Sequence, residues 1–538
     1  RGSPTFMEPG QFFLCSFRGY LKNWVKYFLD CFFCYFFIPN SDLMAFRKLR
    51  ENAELSLWEA LIPVIVLVAL LAYNVLFAYN GKVNADDDPL GGSNQFLLLI
   101  GAAVAAIVGF YNHVEYEKMI EKIGLNLKDT TEAILILLMV GALSSTWILS
   151  GIIPTIIYVG IQLLSPVIFL PIALIICSIV SLFTGSSWST SATVGIAMIG
   201  IGTSLGISPA MVAGAVVSGA YFGDKMSPLS DTTNLAPAMA GTTLFAHINY
   251  MKFTTFPTYF ITLISFIIMG FTQNANGVGG DEIKQLTAAI DAKFYISPVL
   301  MIVPVLVIVM IVRKTKPLIA LLAGTLMGGL FAVIFQPSLV AEVAKVPQLD
   351  FNAAYKGVME NMVTDTSIEM NNEKLNSLFG TGGMKGMLST IWLIICAMVF
   401  GGVMDAIGAL ARISKALLSM AHSIFGLFSS TVASCLTMNL TASDQYIAIV
   451  VPGKMFAQAY KDKGLDPVNL SRTLEDTGTV TSALIPWNTC GAYQSKVLGV
   501  GAEHYFIYAI FNWLSPIMTL TFAYFRIKIK YLTEDKKV

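Results

Sequence analysis

Charged and hydroxyl side chains are concentrated in one segment of an otherwise apolar sequence. Residues 219–236 read GAYFGDKMSPLSDTTNLA and contain Asp224, Lys225, Asp231, a proline and four serine or threonine hydroxyls. An ionised group at membrane depth is costly, so it normally lies against a cavity or a partner. A carboxylate among hydroxyls can hold either a proton or a hard cation such as Na+. The segment therefore predicts a site that binds or moves ions.

The composition places this segment in a membrane. The chain has 538 residues, of which 55% are hydrophobic and 13% charged, and its mean hydropathy is +0.68. Lysine plus arginine and aspartate plus glutamate each number 34, so a formal net charge of zero gives no indication of a nucleic-acid partner. We expect an all-α polytopic protein in contact with the lipid bilayer.

Apolar segments long enough for membrane elements recur along the chain. We expect ten to fourteen such elements, some shorter than a full crossing. The predicted segments are residues 57–79, 95–112, 131–149, 152–184, 186–205, 209–223, 254–271, 296–313, 317–335, 388–408, 412–440, 441–460, 467–485 and 503–526.

Three parts are predicted along the chain. Residues 1–43 form an N-terminal extension that is an expression remnant, an overlong start assignment or an interfacial anchor. A polar, glycine-rich stretch near residue 280 then separates residues 44–280 from residues 281–538. We expect these two parts to be transporter repeats, the second one ending in a cytoplasmic tail.

The two parts match each other at a nearly constant offset. Residues 206–209 (GISP) match residues 464–467 (GLDP), 258 positions later, and residues 228–231 (PLSD) fall on residues 486–489 (PWNT) at the same offset. A third match, residues 184–187 on residues 441–444, has an offset of 257. Three matches in register indicate an internal repeat.

Loop charges predict that the repeats have opposite orientations. Lysine-rich residues 113–130 follow the second predicted segment of the first part, whereas basic residues 313–316 follow the first predicted segment of the second part. Both stretches are typical of cytoplasmic loops. The basic residues before the first helix and in the C-terminal tail place both of these ends in the cytoplasm. Inverted repeats with interrupted helices or re-entrant hairpins are typical of secondary transporters. We expect location in the cell inner (plasma) membrane.

The interruptions predict where the ions bind. Pro228, Pro452 and Pro486 are the strongest helix breakers, and the backbone groups that they free must face protein or a water-lined cavity. The predicted ion-binding and proton-exchanging acids are Asp224, Asp231, Asp444, Glu475 and Asp476. The predicted supporting oxygen ligands are Ser227, Ser230, Thr232, Ser443, Thr477, Asn488 and Thr489.

Purely structural roles are open for several of these acids. Asp224 could pair with Lys225 or Arg472, and Glu475 or Asp476 could form a salt bridge with Arg472 one turn earlier. Asp231 could cap the helix that follows it. Asp444 is also close to a predicted helix start, and Asp405 is a secondary candidate for the ion path.

The polar motifs resemble the signature of the NhaC family of Na+/H+ antiporters. In the first half the resemblance is carried by residues 185–190 (GSSWST) and 223–234 (GDKMSPLSDTTN). In the second half it is carried by residues 443–446 (SDQY), 475–478 (EDTG) and 485–491 (IPWNTCG), and overall it extends from about Ser56 to about Leu532. It implies exchange of Na+ for H+, opposed re-entrant hairpins and homodimers.

Three classes of function follow from these observations. The leading one is a secondary Na+/H+ antiporter in which Na+ and H+ compete for buried carboxylates, with no cofactor, no transition metal and no ATPase partner. Relatives in the family also exchange malate for lactate with Na+ and H+, so an organic-anion exchanger is the alternative. It would place donors such as Asn234, Asn488, Lys225 or Arg472 in a larger cavity. An enzyme is disfavoured because no HExxH motif or Cys/His pairing is present, and a channel because inverted halves suit alternating access.

Overall fold

The computed structural model describes residues 55–74, 92–272, 280–313, 315–370 and 379–532. These residues all belong to one compact unit. The predicted N-terminal extension, residues 1–43, lies outside the described residues.

Helices make up most of the described residues. The helices of the first part are α1 (Leu57–Tyr73), α2 (Ser93–Tyr111), α3 (Tyr116–Leu149), α4 (Ile152–Leu163), α5 (Pro166–Thr184), α6 (Ser187–Thr190), α7 (Ile196–Ser204), α8 (Pro209–Met226), α9 (Asp231–Ala240) and α10 (Leu244–Thr272). The next are α11 (Gly280–Lys293), α12 (Ile302–Val312), α13 (Pro317–Phe335), α14 (Pro337–Val343) and α15 (Phe351–Val363). The last are α16 (Leu388–Ala406), α17 (Ala409–Ser419), α18 (Ile424–Thr441), α19 (Gln445–Asp462), α20 (Val468–Leu474), α21 (Thr489–Leu498), α22 (Ala502–Tyr505) and α23 (Ile510–Tyr524). A short antiparallel pair, β1 (Thr366–Ser367) and β2 (Gly380–Thr381), lies between α15 and α16.

Seven helices within the described residues are long and apolar enough to cross a membrane. An eighth span results if the pair 284–293 and 298–311, bent by 84°, is counted as one. The spans are Ser93–Tyr111, Thr130–Leu149, Pro166–Thr184, Leu244–Phe271, Pro317–Phe335, Lys385–Ala406 and Ile424–Thr441. The protein is therefore a polytopic helical membrane protein, and several of the shorter predicted elements belong to interrupted helices.

Two helical hairpins have their turns deep inside the protein. In the first, α5 ends at Gly185, whose φ of 68° is left-handed, and Ser186 caps α6 through its side chain. In the second, α18 is followed by Ser443 with a φ of 58°, and Asp444 caps α19. Both turns therefore expose polar atoms where two helix ends meet.

Two helices are interrupted next to these turns. The first break separates α8 from α9 and contains Pro228. The second break follows α20, continues through a π-helical turn at Glu475–Thr479 and a 3-10 turn, and ends where α21 begins after Pro486. The prediction that Pro452 breaks a helix is wrong, because α19 continues through it. One proline removes a single backbone donor, and packing against α18 and α20 can hold the rest of the helix together.

The helix ends repeat at an offset of 258 residues. Each of four helices in the first part begins 258 positions before a helix in the second part, to within one residue. These pairs of first residues are Pro166 and Ile424, Ser187 and Gln445, Pro209 and Val468, and Asp231 and Thr489. The left-handed glycines Gly206 and Gly241 likewise precede Gly464 and Gly499 by 258 positions. The offset of two of the three sequence matches is thus also the offset of the local structure.

Candidate functional site

The two hairpin turns and the first helix break surround one cavity of about 440 Å³. Residues 184–188 line it from the first hairpin, residues 444–446 from the second, and residues 229–232 from the break. Thr489, the first residue of α21, completes the contribution of the second break. Sequence positions as far apart as 184 and 489 therefore form one site.

Asp224 attaches the first hairpin to α8. Its side chain is buried, and its Oδ2 accepts bonds from the Ser187 hydroxyl at 2.7 Å and from the Ser187 N–H at 3.2 Å. Pairing of Asp224 with Lys225 or Arg472 was the structural alternative, but neither cation is among the partners of this carboxylate. Asp224 lines the cavity as the predicted site requires.

Asp444 combines a cap with a place in the cavity. Its Oδ1 accepts bonds from the N–H groups of Tyr446 at 2.8 Å and Ile447 at 3.1 Å, so it caps α19. Its Oδ2 lies 3.5 Å from the Thr489 hydroxyl, and the Thr489 N–H donates to the Ser443 carbonyl at 2.9 Å. These contacts attach the second hairpin to the second break and leave one carboxylate oxygen beside the cavity.

Asp231 lies in the first turn of α9 and is exposed in the cavity lining. The alternative in which Asp231 caps this helix is wrong, because Ser230 is the cap and accepts the Thr233 N–H at 3.4 Å. A capping residue must precede the helix, and α9 begins one residue earlier than that alternative required. The Asp231 carboxylate therefore has no capping role.

Glu475 and Asp476 lie deeper than the cavity, on the π-helical turn. Both are fully buried. The Glu475 Oε1 accepts a bond from the Thr232 hydroxyl at 3.1 Å, and Thr232 does line the cavity. Asp476 forms an ion pair with Lys225 and accepts bonds from Thr254 and Thr519. The salt bridge to Arg472 that was open for both acids is absent from their contacts.

Arg472 occupies an aromatic environment instead. Its guanidinium carbon lies 4.6 Å from the centre of the Tyr250 ring, and the rings of Phe428 and Phe522 lie at 5.9 and 6.0 Å. Cation–π attraction favours such an arrangement for a buried cation. Arg472 is therefore surrounded by aromatic rings and is not part of the cavity lining.

The predicted oxygen ligands divide into two groups. Ser230, Thr232 and Thr489 line the cavity. The other four are buried beside it: Ser227 accepts the Leu229 N–H, Asn488 caps α21, and Ser443 and Thr477 have hydroxyls without a partner within the described residues. Asp405, the secondary candidate, forms an ion pair with Lys122 at 2.8 Å and lies outside the cavity lining.

Some lining residues were missed by the sequence reasoning. Ser187, Glu132 and Gln445 all line the cavity. Ser187 and Gln445 could have been found from the repeat, because they match each other at the offset of 258 and both follow a hairpin turn. The only sequence feature that could have identified Glu132 as a lining residue is its position near the start of a membrane span.

The lining is acidic. Its described residues include four carboxylates, Glu132, Asp224, Asp231 and Asp444, and one cation, Lys316. Opposite charges attract more strongly near a low-dielectric wall than in bulk water. The cavity thus favours cations and disfavours anions.

The chain is similar to several known antiporters. The NhaC Na+/H+ antiporter of Alkalihalophilus pseudofirmus is 37% identical over 432 residues, which cover 80% of this chain and 90% of the relative. The malate-2H+/Na+-lactate antiporter of Bacillus subtilis is 36% identical over 421 residues, 78% of this chain and 86% of the relative. The arginine/ornithine antiporter ArcD of Halobacterium salinarum is 31% identical over 473 residues, 87% of this chain and 92% of the relative.

A sequence profile described as the Na+/H+ antiporter family matches residues 219–527, which include the break between α8 and α9, the second hairpin and the second break. The acids of the cavity lining on these elements, Asp224, Asp231 and Asp444, fall within the matched region. This chain belongs to the Na+/H+ antiporter family.

Proposed function

We propose that this protein is a secondary active antiporter that exchanges Na+ for H+ across the membrane. The observation that carries the proposal is the acidic cavity in which two hairpin turns and a helix break bring Asp224, Asp231 and Asp444 together. A carboxylate sheltered from bulk water binds either a proton or a cation, so occupation by one excludes the other. This competition couples the two fluxes without a cofactor or an ATPase partner.

The proposed ligands follow from the lining of the cavity. Asp231 and Asp444 are the leading exchanging acids, with Asp224 beside them. The hydroxyls of Ser230, Thr232 and Thr489 supply neutral oxygens, which suit a hard cation such as Na+. Glu475 is a further candidate for an exchanging acid, because it accepts a hydrogen bond from Thr232, which lines the cavity.

The proposed architecture is a pair of inverted repeats, residues 44–280 and 281–538, that alternate access to this site. The common offset of 258 residues in helix ends supports a repeat, and the loop charges support opposite orientations. Thr315 and Lys316 of the basic loop line the cavity, which supports an opening toward the cytoplasm in this conformation. Homodimer formation, which the family resemblance implies, stays a prediction.

The second candidate function is a Na+- and H+-coupled exchange of organic anions. It is favoured by the malate and lactate that the name of the Bacillus subtilis relative contains. Three of the four donors named for it are engaged elsewhere: Lys225 pairs with Asp476, Asn234 donates to the Pro228 and Ser230 carbonyls, and Asn488 caps α21. The fourth, Arg472, lies among aromatic rings and is not part of the cavity lining. Among the described lining residues, Lys316 is the one cation, beside the carboxylates of Glu132, Asp224, Asp231 and Asp444.

Purified protein in vesicles with a pH-sensitive dye inside tests the proposal. Na+, Li+, K+, malate, lactate, arginine and ornithine are added separately. Proton movement with Na+ alone is the expected result, because the acidic cavity needs no organic solute to couple the two ions. Proton movement that requires malate and lactate together with Na+ would instead establish the second candidate.

A further inference from the structure

The ammonium group of Lys225 lies in a fully buried cluster of oxygen atoms. It pairs with one carboxylate oxygen of Asp476 and donates to the Ser515 hydroxyl at 3.0 Å. The other oxygen of Asp476 accepts a bond from Thr254 at 2.9 Å and another from Thr519. Lys225 and Asp476 both have no exposed surface. The cluster joins three helices, α8, α10 and α23, to the π-helical turn.

A carboxylate with neighbouring hydroxyls is the donor set that alkali cations prefer. A lysine ammonium is a compact point charge on a flexible stem, so it can occupy a position suited to a small cation. We infer that Asp476, Thr254, Thr519 and Ser515 form a second cation site, separate from the cavity, in which the Lys225 ammonium takes the place of a mobile Na+. The inference rests on the proposed exchange of cations at the cavity.

Stability alone does not account for this pair. Replacing a buried ion pair by apolar residues of similar volume is often neutral or stabilising, because desolvation of the two charges offsets their attraction. An internal cation has a functional consequence instead. It occupies Asp476 throughout the cycle, so exchange is confined to the acids of the cavity and the number of Na+ ions bound per chain is lower by one.

Equilibrium binding of radioactive Na+ to purified protein tests the inference. The wild-type chain is compared with Lys225→Ala, which removes the internal cation, and with Lys225→Ala/Asp476→Ala, which also removes the carboxylate. We expect Lys225→Ala to bind one more Na+ per chain than wild type and the double variant to return to the wild-type number. Ethylammonium should displace only the additional Na+ of Lys225→Ala.

Adjacent threonines on α10 supply a matched control. Thr254 and Thr255 are both fully buried, and their hydroxyls lie 3.0 and 2.9 Å from the Met251 carbonyl. Of these two hydroxyls, only that of Thr254 also lies within hydrogen-bond distance of Asp476, at 2.9 Å. In the Lys225→Ala background, Thr254→Val should weaken binding of the additional Na+ at least tenfold, whereas Thr255→Val should change it less than twofold.

The result that overturns the inference is a folded Lys225→Ala protein that binds the same number of Na+ ions as wild type. If Lys225→Ala cannot be purified, Lys225→Gln, which keeps most of the side-chain volume, takes its place and the same count decides. Failure of the proposed function has a different signature. The wild-type protein would then show no Na+-driven proton movement, while ethylammonium would still raise the melting temperature of Lys225→Ala if the second site exists.

Discussion

Four aspartates, Asp224, Asp231, Asp444 and Asp476, have different surroundings in this protein. Asp224 accepts two bonds from Ser187, Asp444 combines a helix cap with a contact to Thr489, and Asp476 is paired with Lys225. Asp231 is the most exposed of the four to the cavity. A carboxylate must be reached from the cavity to exchange ions with it, and Asp231 and Asp444 line the cavity whereas Asp476 is fully buried against Lys225. These surroundings rank Asp231 and Asp444 above Asp476 as exchanging groups.

Substitution of Asp231 or Asp444 by asparagine tests this ranking. An amide can neither neutralise a bound Na+ nor take up a proton, so each variant should lose Na+-dependent proton flux by about a hundredfold, which corresponds to about 3 kcal/mol of transition-state stabilisation. Flux is measured in vesicles with an internal pH dye. Asp405→Asn is the control, because that residue pairs with Lys122 outside the cavity lining, and it should stay within about twofold of wild type. Unchanged flux and pH dependence in both cavity variants would remove these residues from the site.

The ion pair between Lys225 and Asp476 makes a prediction about stability. Lys225→Met leaves a buried carboxylate without its counter-charge and should destabilise the protein by about 3–5 kcal/mol. Lys225→Met/Asp476→Leu removes both charges and should recover most of that loss. Thermal unfolding in detergent compares the two variants with wild type. Additive losses in the double variant would mean that the two side chains are energetically independent.

At the scale of elements, the close approach of the hairpin turn to the helix break organises the site. Gly185 ends α5 with a φ of 68°, and a Cβ atom there would lie 2.7 Å from the backbone carbon of Leu229. Only glycine combines this left-handed backbone with such close contact. The turn at Gly185 positions Ser187, which donates hydrogen bonds to Asp224 of α8. The backbone geometry of Gly185 therefore affects the hydrogen bonding of the Asp224 carboxylate.

Gly185→Ala and Gly241→Ala separate the effect of a left-handed backbone from the effect of close contact with a neighbouring residue. Gly241 also has a left-handed φ, of 81°, but a Cβ there would meet nothing within 4 Å. Gly241→Ala should therefore cost only the backbone strain, about 1–2 kcal/mol. Gly185→Ala adds displacement of Leu229 and should lower both melting temperature and Na+-dependent proton flux further. Equal effects of the two substitutions would contradict a role for close packing at the hairpin turn.

At the scale of the whole molecule, contacts between the two halves hold the cavity together. Trp188 of the first hairpin stacks on Tyr493 of α21 with ring centres 4.0 Å apart, and the Tyr493 hydroxyl donates to the Trp188 carbonyl at 3.0 Å. The bonds from Thr232 to Glu475 and from Lys225 to Asp476 also connect the halves. Movement of one half against the other would therefore alter the site directly.

The proposed orientation of the second half can be tested by labelling from each side of the membrane. With native cysteines replaced, Thr315→Cys should react with a membrane-impermeant maleimide only from the cytoplasmic side, because it lies in a basic loop. Lys356→Cys, on α15 in the net acidic segment 336–387, should react only from the other side. Intact cells and inverted vesicles provide the two exposures. Labelling of both positions from one side would contradict the proposed topology of the second half.

Much of the architecture could be predicted because membrane physics leaves strong local signals. Apolar length marked the spans, and loop motifs at an offset of 258 residues anticipated the matching helix ends of α9 and α21. The polar break around Pro228 and the motif around Asp444 were predicted as site segments, and both line the cavity. The spans and the polar breaks depend on neighbouring residues and on contact with lipid, so they can be predicted from local sequence.

Partnerships between distant residues could not be predicted in this way. Lys225 and Asp476 are 251 positions apart, and the sequence left open only pairings with near neighbours, of Lys225 with Asp224 and of Asp476 with Arg472. The aromatic environment of Arg472 and the bond from Thr232 to Glu475 likewise depend on how α9, α10, α18 and α20 pack. The sequence by itself determined that acids and hydroxyls would sit at interrupted helices in a membrane, since burial cost and helix breaking are local properties. Only the tertiary structure decided which acids face the cavity and which are paired, because a buried charge takes its partner from whatever element packing brings near.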